Sequence, residues 1–168
     1  MTAATSANRE TFEVSTPAAR VIRMTRLFGA PRGLVFEAMT RPEHVRQWWG
    51  CLGDGYSVPV CEIDLRPGGA WRFVHRHPKG EFAFYGVYRE IAAPERLVYT
   101  ETFDQFPDTE LVVTAAFAEE GRGTRLTVTV LCPTEQVRDA VIQSGMAGGA
   151  AISYDRLEDL VARLAPGP

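Results

Sequence analysis

The fold class is decided by the stretch Cys61-Glu-Ile-Asp-Leu-Arg-Pro-Gly-Gly-Ala-Trp-Arg-Phe73. Its centre, Arg-Pro-Gly-Gly, is typical of a tight turn, because proline fixes one backbone angle and glycine adopts conformations that other residues avoid. After the turn, Trp71, Phe73 and His75 alternate with a second set of side chains, which is the period of a β-strand. The stretch therefore predicts a β-hairpin with strands at residues 58–65 and 70–77.

Strand patterns continue on both sides of this hairpin. Upstream, Ile22, Met24 and Phe28 at even spacing predict a first strand at residues 20–28. Strands joined by consecutive hairpins pair antiparallel, so one antiparallel sheet is predicted. Four further strands, separated by short turn sequences, are predicted downstream at residues 81–91, 96–103, 110–118 and 124–132.

Helical patterns flank the strands. Two short helices are predicted at residues 31–40 and 42–49, each with proline in its first turn. Beyond Pro133 a helical pattern runs to Leu164, with a break expected at the glycine-rich residues 145–149. This order of elements is typical of an α+β domain. Such a sheet can bury one face only by curving around the terminal helix.

The composition is that of an ordinary folded domain. With 168 residues, 45% of them hydrophobic, we expect one domain at residues 20–164 between flexible tails at 1–19 and 165–168. The net charge of -3 argues against a nucleic-acid-binding role, which usually needs a basic face. No apolar run reaches the ~20 residues of a membrane span.

The three cysteines, Cys51, Cys61 and Cys132, are too few and too irregularly spaced for a disulfide framework or a zinc knuckle. We expect them to be reduced and mostly buried thiols. The first residues lack the basic start and apolar run of a secretory signal. Both observations favour a cytoplasmic protein.

Motifs of common catalytic machinery are missing from the sequence. It contains no Gly-x-Ser-x-Gly elbow, no P-loop and no dinucleotide fingerprint, so no cofactor is expected. His75 and His77 share one strand face, but a metal site needs further ligands, for which the pattern suggests only Cys61 or Glu101. We therefore expect no metal site.

A series of motifs follows in order along residues 20–164. They are Phe28-Gly-Ala-Pro-Arg, Val35-Phe-Glu-Ala-Met-Thr-Arg-Pro-Glu-His44, Trp48-Trp-Gly50, the hairpin at 61–73, Gly86-Val-Tyr-Arg-Glu-Ile91, Pro94-Glu-Arg-Leu-Val-Tyr-Thr100, Gly123-Thr-Arg-Leu-Thr127, and Gly145-Met146 with Asp155-Arg-Leu157. Together they resemble the heat-shock-protein ATPase activator homologue-like family of the SRPBCC superfamily, the START-like and birch-pollen-allergen-like proteins.

The resemblance implies a helix-grip fold, in which a strongly curved antiparallel sheet wraps around the long C-terminal helix and two short helices close one end. It also implies a hydrophobic cavity that takes lipids, sterols, polyketides or other small apolar molecules. One position departs from the family pattern, which usually has Trp where Ala150 follows Gly149. Loss of that indole would widen the cavity mouth or loosen the helix break, unless another aromatic side chain refills the space.

His75 and Glu101 are the candidate catalytic residues. His75 shares a strand face with Trp71, and Glu101 shares one with Tyr99, so inward-facing strands would bury both polar groups among apolar neighbours. Burial without a partner raises the pKa of a carboxyl group, as often occurs at functional sites. With Tyr88, the two groups could orient a ligand or act as general acid and base. Alternatively, Glu101 is solvated at a strand end or pairs with an arginine.

The expected ligand-binding side chains come from the short helices, the strands and the terminal helix. We expect them to surround a cavity between the sheet and that helix. They are Trp48, Trp49, Trp71, Phe73, His75, Phe84, Tyr88, Tyr99, Glu101, Val113, Phe117, Met146, Ala150 and Tyr154.

Three functions stay open at this point. The leading hypothesis is binding of a small hydrophobic or aromatic molecule, lipid-like or polyketide-like. The second is an enzyme of cyclase, aromatase or hydrolase type acting on such a ligand, and the third is a module that stimulates a chaperone ATPase. If the cavity proves to be filled by side chains, with no void beyond a water or two, the first two hypotheses both fail. A homodimer through an exposed sheet edge or helix is also compatible with the sequence.

Overall fold

The computed structural model describes residues 7–50 and 53–166 and has one curved, unclosed antiparallel sheet. Its strands are β1 Glu13–Ala18, β2 Val21–Phe28, β3 Ser57–Ile63, β4 Ala70–His77, β5 Gly80–Ala92, β6 Arg96–Phe103, β7 Glu110–Glu120 and β8 Gly123–Leu131. They lie in the order β1-β2-β8-β7-β6-β5-β4-β3. The first two strands therefore join the sheet beside the last one, and the predicted α+β class is confirmed.

The main helices are α1 Arg32–Thr40, α2 Pro42–Trp48, α3 Glu135–Gln143 and α4 Met146–Leu164. Between α3 and α4, Gly145 has a φ of 86°, in the left-handed region that favours glycine. The break expected in the C-terminal helical pattern is confirmed, although Gly148 and Gly149 lie inside α4. At the start of α3, the Thr134 side chain accepts a hydrogen bond from the Val137 backbone N–H.

Residues 7–18, which the composition predicts to be part of a flexible tail, dock onto the domain. β1 pairs antiparallel with β2. Just before it, the Asn8 side chain donates a 2.8 Å hydrogen bond to Glu158, and Arg9 lies 3.1 Å from Asp159 on α4. The sequence pattern misses β1 because all six of its side chains are exposed, so no alternation of apolar and polar residues marks it.

The docked segment covers Arg26, an inward-pointing side chain of β2. Arg26 is 1% exposed, and its guanidinium lies 3.3 Å from Asp155 of α4 and 4.8 Å from the centre of the Phe28 ring. Burial lowers the pKa of Arg26, and the nearby carboxylates of Asp155 and Glu158 oppose that shift. Arg26 Nε also donates a 3.4 Å hydrogen bond to the Asn8 carbonyl oxygen. The N-terminal segment thus closes this end of the core.

The core has two parts. The larger part packs α4 and α1 against β2 and β6–β8. The smaller part lies beneath α2 and joins β3, β4 and β5 through Val45, Val58, Cys61, Trp71, Phe73 and Tyr88. Three half-buried side chains, Trp49, Ile91 and Tyr99, pack against both parts. They mark the boundary at which the candidate site lies.

Two of the three cysteines can be placed. Cys61 and Cys132 are both buried, as the sequence predicts. Cys51 lies outside the described residues. Within residues 7–50 and 53–166, no helix has both the length and the apolar character needed to cross a membrane.

Gly86 on β5 leaves room for the Trp71 indole to lie over the β5 backbone and reach β6. Trp71 is opposite Gly86 in the register, and its Nε1 donates a 3.1 Å hydrogen bond to the Thr100 carbonyl oxygen on β6. A Cβ atom at Gly86 would collide with that oxygen and lie 2.8 Å from the indole nitrogen. A glycine is therefore required where the indole and the next strand approach the β5 backbone.

We expect Gly86→Ala to lower the free energy of unfolding by about 2–3 kcal/mol, because the Thr100 backbone oxygen cannot move aside without disturbing the sheet. Gly33→Ala in α1 is the matched control, since a Cβ atom there meets nothing within 4 Å. That change should raise the free energy of unfolding by about 0.5–1 kcal/mol. Urea unfolding measures both, and a Gly86→Ala variant as stable as the wild type would contradict the packing argument.

Candidate functional site

A small cavity lies at the boundary between the two parts of the core. Its volume is about 30 Å³, which holds one or two water molecules. Its wall is formed by Met39, Val45, Trp48, Trp49, Trp71, Phe73, Tyr88, Leu97, Tyr99 and Glu101. The sequence predicts a ligand-sized cavity at this position. In the structure, aromatic side chains fill that space instead.

The Trp49 side chain closes the cavity toward β4 and β5. Trp49 directly follows α2, and its ring centre lies 5.3 Å from that of Phe73, 5.0 Å from that of His75 and 4.9 Å from that of Phe84. These separations are within the contact range of aromatic pairs. The indole is also partly exposed, so it forms a plug between the cavity and solvent.

Hydrogen bonding distinguishes Trp49 from the other two tryptophans. Trp48 Nε1 donates a 2.8 Å hydrogen bond to the Ala38 carbonyl oxygen, and Trp71 Nε1 donates one of 3.1 Å to the Thr100 carbonyl oxygen. Among the described residues, nothing accepts a hydrogen bond from the Trp49 indole. In the described chain its indole is held by packing against the core and by ring contacts, without a hydrogen bond, so it is the tryptophan of the wall that can move at the lowest cost.

Glu101 brings a carboxyl group into this aromatic wall. It lies on β6 opposite Leu111 of β7 and points to the same side of the sheet as Tyr99. Burial raises the pKa of Glu101 to about 7. In the described part of the chain it has no arginine partner and no hydrogen-bond donor. The half-buried carboxyl group therefore faces the cavity unpaired.

Tyrosine hydroxyl groups lie near this carboxyl group. Burial raises the pKa values of Tyr99 and Tyr154, and the charge of Glu101 adds to both shifts. The Tyr88 ring centre lies 6.0 Å from that of Tyr99, and burial also raises the pKa of Tyr88. All three phenols stay protonated at neutral pH, and the two in the cavity wall, Tyr88 and Tyr99, can donate hydrogen bonds to a bound molecule.

His75 lies behind Trp49 rather than in the cavity wall. It is 1% exposed and stacks on Phe82, with ring centres 5.1 Å apart. Gly50, with a φ of 68°, also lies against the imidazole, and a Cβ atom there would be 2.5 Å from His75 Cε1. Within the described chain neither ring nitrogen has a hydrogen-bond partner, and burial lowers the pKa of His75 to about 4. The ring is thus neutral, buried and unsatisfied at physiological pH.

His75 and Glu101 do not meet in one site. His75 on β4 is paired with Phe82 on β5. Thr102 on β6 is paired with Tyr85 on β5, so the preceding residue, Glu101, is level with position 86 of β5. The two side chains are therefore about four residues apart along the strands. At ~3.3 Å per residue, this offset is ~13 Å between backbone levels. Neither group contributes to the pKa shift of the other. Each group lies among apolar and aromatic side chains, and in this structure the two do not line the same cavity.

The other predicted residues divide between the cavity and the core. Val113 and Phe117 are 2% exposed core residues, and Met146 and Ala150 pack against the same part of the core. The widening expected from Ala150 is not seen at the cavity. Tyr154 stacks on Trp48 with ring centres 6.2 Å apart, and Phe84 packs behind Trp49.

Three cavity residues are absent from the sequence prediction: Met39, Val45 and Leu97. Leu97 shares the inward strand face of Tyr99 and Glu101, so the period of two could have identified it. Met39 belongs to the apolar face of α1, which marks it as buried without indicating a cavity. Val45 lies on a helix of seven residues, too short for a clear periodic signal.

A larger groove, of about 540 Å³, lies on the opposite face of the sheet. Its wall includes the outward-facing residues Glu62, Arg72, Tyr85 and Val87. No buried and unpartnered polar group lies in this groove, as far as the described residues show. Nor do three or more His, Cys, Asp or Glu side chains converge on a metal position in this part of the chain. The aromatic cavity is therefore the stronger candidate.

Residues 29–162 match the sequence profile of the family described as activator of Hsp90 ATPase homolog 1-like protein. The chain belongs to this family. The resemblance seen in its motifs is confirmed, and so is the helix-grip fold that the resemblance implies. No curated protein matches the chain.

Solved structures of similar proteins share the fold of this family member. A Rhodobacter sphaeroides protein is 26% identical with a TM-score of 0.83, over 92% of this chain and 99% of that one. A Chromobacterium violaceum protein is 28% identical with a TM-score of 0.73, over 86% and 98%. DynU16, from the dynemicin biosynthetic locus, is 21% identical with a TM-score of 0.66, over 88% of this chain and 49% of that one. At that identity the likeness shows the fold alone.

We expect His75→Phe to raise the free energy of unfolding by about 1 kcal/mol at pH 7, because it removes two unsatisfied nitrogens and keeps the ring contacts. The gain should grow as the pH falls from 6.5 toward 4, since only the unfolded chain then binds a proton at His75. Urea unfolding at several pH values measures this. The half-buried His77→Phe is the control and should stay within about 0.5 kcal/mol of the wild type. A destabilised His75→Phe variant at every pH would contradict the expectation.

We also expect Glu101→Gln to become progressively more stable than the wild type between pH 5 and pH 8. The pKa of Glu101 rises from 4.5 to about 7 on folding, so the protonated carboxyl group is the form that the folded state favours. Its contribution to the free energy of unfolding is fully present below pH 4.5 and is lost as the pH rises through 7. The loss amounts to roughly 3 kcal/mol. The exposed variant Glu62→Gln should follow the wild-type pH profile in the same unfolding series. Parallel profiles for Glu101→Gln and the wild type would rule out a buried, unpaired Glu101.

Proposed function

We propose that this protein binds a small, uncharged aromatic or hydrophobic molecule in the cavity beneath Trp49. Glu101 is the observation that carries the proposal, since its carboxyl group faces aromatic side chains without a partner in the described chain. A carboxyl group that is partly desolvated among aromatic side chains is costly to stability. A ligand hydroxyl or carbonyl group would supply the missing hydrogen bond.

With a volume of only about 30 Å³, the cavity has no void beyond one or two water molecules and cannot hold a ligand in this conformation. The proposal therefore requires the Trp49 side chain to move. The indole has no hydrogen bond to break in the described chain, and its aromatic contacts are worth about 0.5–1.5 kcal/mol each beyond the buried area. A flat ligand in the same place would restore contacts with Phe73 and Phe84. The contact free energy lost when the indole leaves is therefore nearly regained when an aromatic ligand takes its place. The hydrogen bond between the ligand and Glu101 then favours the bound state.

The chemistry of the wall favours an uncharged ligand with flat rings. No basic side chain is among the wall residues of the described chain, so an anionic ligand would be buried without compensation. With a pKa of about 7, Glu101 is available in both protonation states near neutrality. It can then donate to a carbonyl group or accept from a hydroxyl group, and the tyrosine hydroxyls can add further hydrogen bonds.

Catalysis on the same ligand, of cyclase or aromatase type, is a second candidate function. The specific observation in its favour is the pKa of Glu101, since general acid–base catalysis works best when the pKa of the group is close to the working pH. Glu101→Gln would then abolish turnover of a bound ligand and keep its binding. Stimulation of a chaperone ATPase has only the family description behind it.

The neutral phenol 4-hydroxybiphenyl tests the binding proposal by isothermal titration calorimetry at pH 6.5. We expect saturable binding at one site, weakened about 3- to 10-fold in Glu101→Leu because one hydrogen bond is lost. Trp49→Ala should bind more tightly than the wild type, since no plug has to be displaced. Glu62→Leu, which changes an exposed carboxylate outside the cavity, should leave the dissociation constant unchanged.

Failure of the wild type and of Trp49→Ala to bind the phenol would overturn the proposal. So would equal losses in Glu101→Leu and Glu62→Leu, because binding would then not involve the cavity carboxyl group. Native mass spectrometry of the gently purified chain complements the titration. A retained small molecule would identify the ligand class directly.

A further inference from the structure

We propose that His75 is a second ligand subsite, joined to the Glu101 cavity when the Trp49 indole leaves, and that it hydrogen-bonds to a hydroxyl or carbonyl group at the far end of an aromatic ligand. This inference rests on the proposed function and adds a second polar anchor to it. Three features carry it: the unpaired nitrogens of His75, the position of the Trp49 indole, and the main-chain cover that Gly50 places over the imidazole.

His75 differs from most other buried polar side chains, although Arg26 Nη1 and Nη2 and the Nδ1 atom of the half-buried His44 also lack hydrogen-bond partners in the described chain. Thr40 and Thr124 donate hydrogen bonds to backbone carbonyl oxygens, and Ser153 accepts one from a backbone N–H. Arg26 has a carboxylate 3.3 Å away. His75 is 1% exposed, and neither of its nitrogens has a partner in the described chain. A buried donor or acceptor that is left unsatisfied is destabilising, whereas an apolar ring of the same shape would not be. A ligand group would account for the imidazole.

The Trp49 indole contacts both the Glu101 cavity and His75, two polar groups that have no partner in the described chain. On one side it forms the cavity wall together with Glu101. On another side its ring centre is 5.0 Å from that of His75. When the indole moves out, the cavity and the imidazole become one space. An aromatic ligand that replaces the indole would therefore have Glu101 near one end and His75 near the other.

The backbone of Gly50, which covers His75, is continuous with Trp49. Gly50 follows Trp49 directly and lies against the imidazole so closely that a Cβ atom would be 2.5 Å from it. The Gly50 N–H donates a 3.2 Å hydrogen bond to Ser153 Oγ on α4. Movement of Trp49 would pull on this single backbone hydrogen bond, so that uncovering His75 and opening the cavity form one motion.

The spacing and surroundings of the two groups restrict the ligand. The backbone positions of His75 and Glu101 are ~13 Å apart along the strand direction, at ~3.3 Å per residue. Two linked aromatic rings with a polar group at each end fit this span. The neighbours of the imidazole are Phe82, Phe84 and Trp49, which supply no counter-charge. The group bound at His75 should therefore be neutral.

Two probes that differ at one end test the subsite: 4-hydroxybiphenyl and 4,4′-dihydroxybiphenyl, titrated calorimetrically into the full chain. We expect the wild type to bind the diol about 4- to 20-fold more tightly than the mono-phenol, a factor of about two from its two equivalent ends and the rest from one additional hydrogen bond. His75→Phe should keep only the factor of about two, with about the wild-type affinity for the mono-phenol. His77→Phe is the control and should keep the full preference for the diol.

The outcomes separate this inference from the proposed function. If the wild type prefers the diol by no more than its two equivalent ends account for, or if His75→Phe keeps the full wild-type preference, the His75 subsite is overturned and the Glu101 cavity stands. If the wild type and Trp49→Ala bind neither probe, both proposals are overturned. A preference for the diol beyond that statistical factor, lost only in His75→Phe, supports the subsite.

A measurement without ligand tests whether the plug seals His75. The chain has three histidines, so their Cε1 resonances can be followed individually by NMR as the pH changes. In the wild type the pKa of His75 should lie near 4. In Trp49→Ala it should move toward 6.5, because water reaches the ring. Phe106→Ala, which truncates an aromatic side chain that is 64% exposed, should leave it unchanged. An unaltered His75 titration in Trp49→Ala would overturn the inference.

Discussion

An α-helix with its side chains is about 10 Å wide, whereas eight strands spaced about 4.8 Å apart present a much wider face. α4 packs in the part of the core built on β2 and β6–β8. The face of β3–β5 must therefore be covered by other groups, and α2 with Trp71, Phe73 and Tyr88 covers it. The cavity, its plug and the two unsatisfied polar groups all lie where these two covers meet. The site therefore exists because one helix is too narrow to cover the whole concave face of the sheet.

Local chemistry explains which parts of the fold could be predicted from the sequence. The turn at residues 66–69 and the alternation around it mark a hairpin, and Gly145 marks the helix break, because both signals depend on neighbouring residues alone. β1 has no such signal, since its side chains are all exposed. β1 joins the sheet by pairing with β2, and the residues just before it contact α4, which is distant in sequence.

The candidate site was harder to predict for a related reason. Strand alternation correctly indicates that His75 and Glu101 point inward, but the offset between β4 and β6 depends on the register of the strand between them. The closure of the cavity depends on where the Trp49 side chain lies, which no pattern of spacing records. If both proposals hold, the closed state already carries the desolvation of two polar groups. A ligand would then gain affinity by satisfying groups that the folded protein holds in place.

The N-terminal strands β1 and β2 lie outside the region that matches the family profile. The family profile begins at residue 29, so a chain cut there would keep the matched region and lose β1 and β2. Its new sheet edge would be β8, a run of threonine, valine and leucine with the high β-propensity that promotes edge-to-edge aggregation. The natural edge strands β1 and β3 each contain a proline, Pro17 and Pro59, which weakens pairing with a further strand. In the full chain, β2 covers this edge of β8, and β1 in turn covers β2.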